Sequence, residues 1–271
     1  SFKRGDRVYI AGCKTGSYAQ YTLCDQSTVY PLPANVSFKQ GACMGTAYAT
    51  AHRALFRAVD VRRGERVLVH GATGGVGLAA VQLAKANGCI VYGTGGTEEG
   101  RALALSAGCE HVFDHKAEGY LEKILELSGG KGVDVIVELL ANVNLGKDLT
   151  ALAYGGRVAV VGSRGPVEIN PRDLMQREAF VVGVANAFQH SVPEEAAEMH
   201  HRFYDGLSSG VLSPIVDSQV FTLYESADAH ERVASSKGSQ GKIVLTIRHA
   251  FVRTCSADST TVDADMDDLQ P

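Results

Sequence analysis

The stretch Val67-Leu-Val-His-Gly-Ala-Thr-Gly-Gly-Val-Gly77 runs an apolar strand straight into a glycine-rich turn, and Leu78-Ala-Ala-Val-Gln-Leu-Ala-Lys85 continues it as an apolar helix. Few folds use that junction. Side-chain-free positions at the turn let backbone N–H groups and a helix N-terminus approach a pyrophosphate, and a glycine at the helix entrance lets helix and strand pack closely. A glycine triplet alone would be weak evidence, so the surroundings decide.

The surroundings agree. From Gly64 onward, short apolar runs alternate with helical-period segments, the pattern of a parallel sheet covered on both faces. Strands are expected at Arg66–His70, Ile90–Thr94, His111–Phe113, Val133–Glu138, Arg157–Val161 and Phe180–Val184, with crossover helices at Gly77–Ala86, Glu98–Ser106, Tyr120–Leu127 and Leu145–Leu152. The fold class is α/β, a Rossmann-type doubly wound parallel sheet. Before it, Val8–Ile10, Tyr18–Leu23 and Thr28–Pro31 read as short strands of a separate β domain, and after it Pro193–Leu207 reads as a helix and Lys242–Ile247 as a last strand. The expected organisation is therefore part of a separate β domain over 1–38, the dinucleotide domain over 39–187, a further segment over 188–248, and an acidic tail over 249–271 that is expected to be disordered.

Charge and cysteine usage narrow the function. The formal net charge of −4 is uneven, because residues 254–271 hold five Asp and no Lys or Arg, and the rest is close to neutral. That argues against a nucleic-acid surface as the main business of the chain. Six cysteines (Cys13, Cys24, Cys43, Cys89, Cys109, Cys255) form no C-x-x-C pair, so reduced thiols in a cytoplasmic protein are expected, with neither a disulfide framework nor a four-Cys zinc lobe. No apolar run reaches the length of a membrane span, and the first residues do not resemble a signal peptide.

The second strand of the dinucleotide unit ends Val91-Tyr-Gly-Thr-Gly-Gly96 with no carboxylate where an NAD enzyme would hold the adenosine ribose. A 2′-phosphate would meet no repulsion there, and Arg101, His115 or Lys116 could give it positive charge, so NADPH is the expected cofactor.

These motifs occur in a recognisable order. Gly5-Asp-Arg-Val, Gly16-Ser-Tyr-Ala-Gln-Tyr, Gly45-Thr-Ala-Tyr-Ala-Thr-Ala, the Gly71–Gly77 turn and Gly155-Gly-Arg-Val-Ala-Val-Val-Gly-Ser-Arg164 resemble the medium-chain dehydrogenase/reductase superfamily. Gly96-Thr-Glu-Glu-Gly100, Glu138-Leu-Leu-Ala-Asn-Val-Asn144 and Ile169-Asn-Pro-Arg-Asp173 resemble its zinc-independent zeta-crystallin quinone oxidoreductases, over about residues 1–247. One departure is Ala47, where the family often has Pro.

The resemblance implies that the segment over 1–38 is the remnant of a GroES-like β domain, the substrate domain, to which 188–248 returns. It implies that Thr73, Gly74, Gly75 and Val76 embrace the pyrophosphate, that Gly96 and His115 line the 2′-phosphate end, and that Asn144, Val161, Gly162, Ser163 and Arg164 run toward the nicotinamide. Val184, Ala185 and Asn186 should follow at the site's floor, and Thr50 should stand at the start of the helix entering the nucleotide domain, near the nicotinamide. It also implies that one wall of the substrate cleft, with a cofactor-contacting Tyr, belongs to family sequence preceding Ser1.

The activity implied is transfer of electrons from NADPH to a quinone, by a homo-oligomer and without a metal. Two alternatives stand beside it. One is NADPH-dependent reduction of activated C=C bonds. The other is a cofactor-binding protein with impaired turnover, in a structural role or bound to AU-rich RNA, the latter by resemblance only. His200, His201 and His249 are expected at the surface, and Ser163 lacks the spacing of a hydrolase nucleophile.

Overall fold

The computed structural model describes residues 2–235 and 240–247. Two short strands, β1 (Val8–Ile10) and β2 (Val29–Pro31), pair antiparallel. A short helix α1 (Phe38–Ala42), capped by the Ser37 side chain, leads into a helical run α2 over 44–58, α-helical at Ala49–His52 and more widely coiled on either side. The dinucleotide unit follows as β3 (Arg66–Val69), α3 (Gly75–Ala86), β4 (Ile90–Gly95), α4 (Glu98–Ala107), β5 (His111–Asp114), α5 (Tyr120–Leu127), β6 (Val133–Glu138), α6 (Ala141–Ala151), β7 (Leu152–Val160), α7 (Pro171–Arg177) and β8 (Phe180–Gly183). Beyond it lie α8 (Pro193–Ser208), β9 (Phe221–Thr222), α9 (Ser226–Ala234) and β10 (Leu245–Thr246).

The sheet is six-stranded, parallel throughout, in the order β5-β4-β3-β6-β7-β8. Alternation along its strands sorts the core into two layers. Val67, Val69, Val135 and Val137 pack with α2, α3 and α8 on one face, while Leu68, Ile136 and Val158 pack with α5 and α6 on the other. The expected doubly wound fold is present, with all six strands at or within a few residues of their expected positions. Chain order reverses beside β3, between β4 and β6, and at that switch point the ends of parallel strands open a crevice.

Several expectations change. Tyr18–Leu23 forms no strand: Lys14 N donates to Leu23 O at 2.7 Å and Leu23 N to Thr15 Oγ1 at 3.0 Å, so the segment folds back on itself and leaves Tyr21 and Leu23 exposed. The last strand is Leu245–Thr246, since at Lys242 the chain makes only an isolated bridge to Val216. Helix α6 starts at Ala141, and β7 starts at Leu152, through the Gly155-Gly156 pair that reads locally as a turn. His200 is buried, not at the surface, because it falls in the apolar stripe Ala196, Met199, Phe203, Leu207 of α8. There it stacks on Tyr30 with ring centroids 3.4 Å apart and shares a hydrogen bond with Tyr9 Oη at 2.7 Å. His201 is exposed as expected, while His249 and the 249–271 tail lie outside the described residues.

Candidate functional site

The residues expected to bind cofactor come from distant parts of the chain, yet the sheet sets them in one row at the C-terminal ends of its strands. Thr73, Gly74, Gly75 and Val76 turn from β3 into α3. The first N–H groups of α3 have no side-chain cap, so the helix's partial positive charge is open. A Cβ at Gly77 would overlap the Gly71 carbonyl oxygen and sit 2.8 Å from Ala72 Cα, so this glycine serves helix–strand packing. Gly75 is bare for another reason, since a Cβ there would overlap the Lys242 side chain.

At the next strand ends, a Cβ on Gly96 would stand 3.1 Å from His115 Cε1 and 3.4 Å from Lys116 Cε, and Lys116 Nζ donates to Gly96 O at 3.3 Å. Gly96, His115 and Lys116 are therefore neighbours. Burial is the main force holding the His115 imidazole below its ordinary pKa. A residue that sequence reasoning missed also stands here. Asp114, in register with Gly95 on β4, pairs with Arg101 at 3.2 Å and accepts from Lys116 N at 2.9 Å, so this corner does contain a carboxylate, supplied by the adjoining strand. The backbone hydrogen bond from Lys116 leads the causes that lower its pKa, followed by the nearby cations.

On the other side of the switch point, Asn144 lies in the first turns of α6 and donates from Nδ2 to Glu138 Oε1 at 3.3 Å. Val161, Gly162, Ser163 and Arg164 follow β7, tied down by Ala141 N to Gly162 O at 2.9 Å and Arg164 N to Asn142 Oδ1 at 2.9 Å. Ser163 Oγ donates to Gly165 O at 2.9 Å. Val184, Ala185 and Asn186 follow β8, and Asn186 Oδ1 is buried with no hydrogen-bond partner. Thr50 is the second residue of the α-helical part of α2, Ala49–His52, and its hydroxyl donates to Thr46 O in the preceding turn at 2.7 Å.

Behind this row lies a cluster the sequence did not announce. His70, at the end of β3, places Nε2 2.8 Å from Asp148 Oδ1 and 3.7 Å from Glu138 Oε2, with all three side chains buried. Its Nδ1 lies 3.3 Å from Thr94 Oγ1, and that hydroxyl accepts the Gly71 N–H at 3.1 Å. Glu138 also accepts from the Leu140 N–H. One polar network thus spans the ends of β3, β4 and β6 beneath the glycine-rich turn and Asn144. Burial opposes the His70 imidazolium, but the hydrogen bond and charge of Asp148, then the charge of Glu138, outweigh it and raise the pKa. Burial pushes Glu138 up to about 7 against the pull of His70. Among the described residues this is the one group of three side chains of metal-ligand type, and the His70 imidazole lies against both carboxylates.

Comparison with known proteins places this geometry in a family. Residues 75–201, most of the dinucleotide unit, match the zinc-binding dehydrogenase family. Human quinone oxidoreductase is 47% identical over 247 residues, covering 91% of this chain and 74% of its own length. The solved structure of Escherichia coli quinone oxidoreductase complexed with NADPH superposes with a TM-score of 0.80 at 30% identity, over 90% of this chain and 76% of that one. A 2-haloacrylate reductase structure has a TM-score of 0.71 at 30% identity, over 80% and 69%. With a Rossmann sheet, a glycine-rich turn at its switch point and nearly half its residues shared over most of its length, the chain belongs to the zeta-crystallin type quinone oxidoreductases of the medium-chain dehydrogenase/reductase superfamily.

Proposed function

We propose that the chain passes electrons from NADPH to quinones and needs no zinc to do so. The observation that carries this is the single row in which the phosphate turn, the adenosine-end cations and the residues around Asn144 and Asn186 meet. Three features fit the cofactor. The uncapped start of α3 offers backbone donors to a pyrophosphate. Lys116 and Arg101 bring positive charge where the extra phosphate of NADPH would lie. The buried, partnerless Asn186 Oδ1 is an acceptor suited to an amide N–H of the nicotinamide end.

NADPH, when bound, supplies the reducing equivalents. The chain's part is to bind, orient and exclude water. Glu138 holds Asn144 in place, and the Thr50 hydroxyl, committed to Thr46 O, keeps the wall of α2 rigid and moves no proton. The buried acids lie behind Asn144, under the row. That is sufficient for a quinone, which is already electrophilic and gains aromaticity on reduction, whereas an alcohol would need a metal or strong base at its oxygen. The likeness to a 2-haloacrylate reductase favours reduction of activated C=C bonds as the second reading.

We further place the chain in the cytoplasm, supported by its free cysteines, Cys13, Cys24, Cys43, Cys89 and Cys109, and as a homo-oligomer, for which the edge strand β8 with its exposed Phe180 offers a surface. Among the described residues no helix is long and apolar enough to cross a membrane. AU-rich RNA binding rests on family resemblance alone.

The test is oxidation of NADPH and NADH by the purified chain with an ortho-quinone and with an enone, before and after exhaustive chelation. Quinone turnover preferring NADPH and surviving chelation is expected. Turnover of the enone alone would establish the second reading, and activity lost on chelation and restored by zinc would overturn the metal-free one.

A further inference from the structure

The segment 240–242 is a strap anchored far from the sheet and laid across the phosphate turn. Its anchor is Asp217, whose buried carboxylate accepts the Gln240 N–H at 2.9 Å and pairs with Arg232 at 3.1 Å. Lys242 N donates to Ile215 O at 3.0 Å, and Lys242 O accepts from Asp217 N at 2.8 Å. The other edge of the strap meets the turn itself. Gly241 N donates to Thr73 O at 3.1 Å and Gly241 bridges Gly74, so Lys242 enters with its backbone held on both sides.

The side chain then runs over the start of α3. A Cβ added to Gly75 would overlap Lys242 Cδ and stand 2.8 Å from its Cγ. The ammonium at its far end lies close enough to Cys43 that its charge opposes the rise burial imposes on that thiol. Lys242 thus reaches from Gly75 toward the first residues before α2. Among the described residues no carboxylate forms an ion pair with it. A half-buried cation, with no carboxylate partner among the described residues and lying against an uncapped helix N-terminus, is an arrangement suited to an anion.

We propose that Lys242 is a cofactor ligand, the cation that closes over the pyrophosphate from the side opposite the α3 N–H groups. This rests on the nucleotide site described above. It assigns the C-terminal return a role in binding: the Asp217–Arg232 anchor holds the strap, and the strap delivers one charge to the phosphates. Because the pyrophosphate is common to NADPH and NADH, Lys242 adds affinity for both and selects neither.

The experiment compares wild type with Lys242→Met, which keeps the aliphatic stem and removes the charge, and with Lys242→Arg. Dissociation constants are measured for NADPH, NADH, ADP-ribose and adenosine 2′-monophosphate, the last having no pyrophosphate. The Met variant is expected to weaken the first three by about tenfold, the size of one charge-assisted contact, while leaving adenosine 2′-monophosphate unchanged, and the Arg variant to recover most of the loss. A mutation-free arm acetylates lysines in the wild-type chain and reads Lys242 by mass spectrometry. NADPH and ADP-ribose should protect it and adenosine 2′-monophosphate should not. Wild-type NADPH affinity in Lys242→Met, an equal loss for all four ligands, or no protection of Lys242 by bound NADPH would overturn the proposal. A wild-type chain that binds none of the nucleotides would instead overturn the cofactor site itself.

Discussion

His70 Nε2 and Asp148 Oδ1 stand 2.8 Å apart with both side chains sealed from water, directly under the turn that begins the phosphate loop. Removing one partner of a buried, hydrogen-bonded pair of this kind costs about 3–5 kcal/mol. We expect Asp148→Ala to lower unfolding stability by that order. Urea titration at neutral pH measures it, and a loss below about 1 kcal/mol would show that the pair carries little.

Glu138 has a folded-state pKa of about 7, above its unfolded value, so its contribution is complete below the unfolded pKa near 4.5 and is lost as pH rises through about 7. Glutamine keeps the shape without titrating. Relative to wild type, Glu138→Gln is therefore expected to gain stability as pH is raised from about 5 to 8. Its NADPH affinity should meanwhile fall modestly, because the side chain that positions Asn144 has lost its charge. Parallel stability curves for the two proteins across that range would refute the assignment.

For His200 the sign is reversed. Burial, followed by the charges of His190 and His52, lowers its pKa to about 3, and burial lowers His52 to about 4. A base with a depressed folded pKa contributes stability above its unfolded value near 6.5 and loses it as pH falls. His200→Gln is expected to have a shallower loss of stability than wild type between pH 6.5 and 4, by denaturant unfolding at stepped pH. An unchanged acid limb would mean that His200 does not drive it.

Selection between cofactors should reside at the β4 and β5 ends. Lys116→Ala is expected to raise the NADPH dissociation constant several-fold and leave NADH nearly unchanged. Asp114→Asn frees Arg101 from its 3.2 Å ion pair and removes a carboxylate from this corner, so it should widen the preference for NADPH. Fluorescence titration with both cofactors reads the outcome, and equal effects on the two would place the 2′-phosphate elsewhere.

Much of this was legible along the chain, for a local reason. A buried parallel strand must be apolar on both faces, a crossover helix must carry an apolar stripe, and the phosphate turn needs its bare positions in fixed order, so β3 to β8 and the Thr73–Val76 turn show in the order of residues alone. Where neighbours decide, local pattern failed. Tyr18–Leu23 has strand composition but, among the described residues, no strand beside it to pair with, and His200 looks like a surface histidine until its place in the α8 stripe is counted.

The sequence by itself determined the doubly wound class, the dinucleotide turn and the family, because each is written in contiguous residues. Tertiary structure decided what lies around that turn. His70, Glu138 and Asp148 are separated by 68 and 10 positions and form one network only because strands β3 and β6 are neighbours in the sheet. Asp114 meets Arg101, and Lys242 meets Gly75, by register and by the return of a distant strap. Charges act through space over a few ångströms, and only the packed sheet makes residues so far apart in the chain near neighbours.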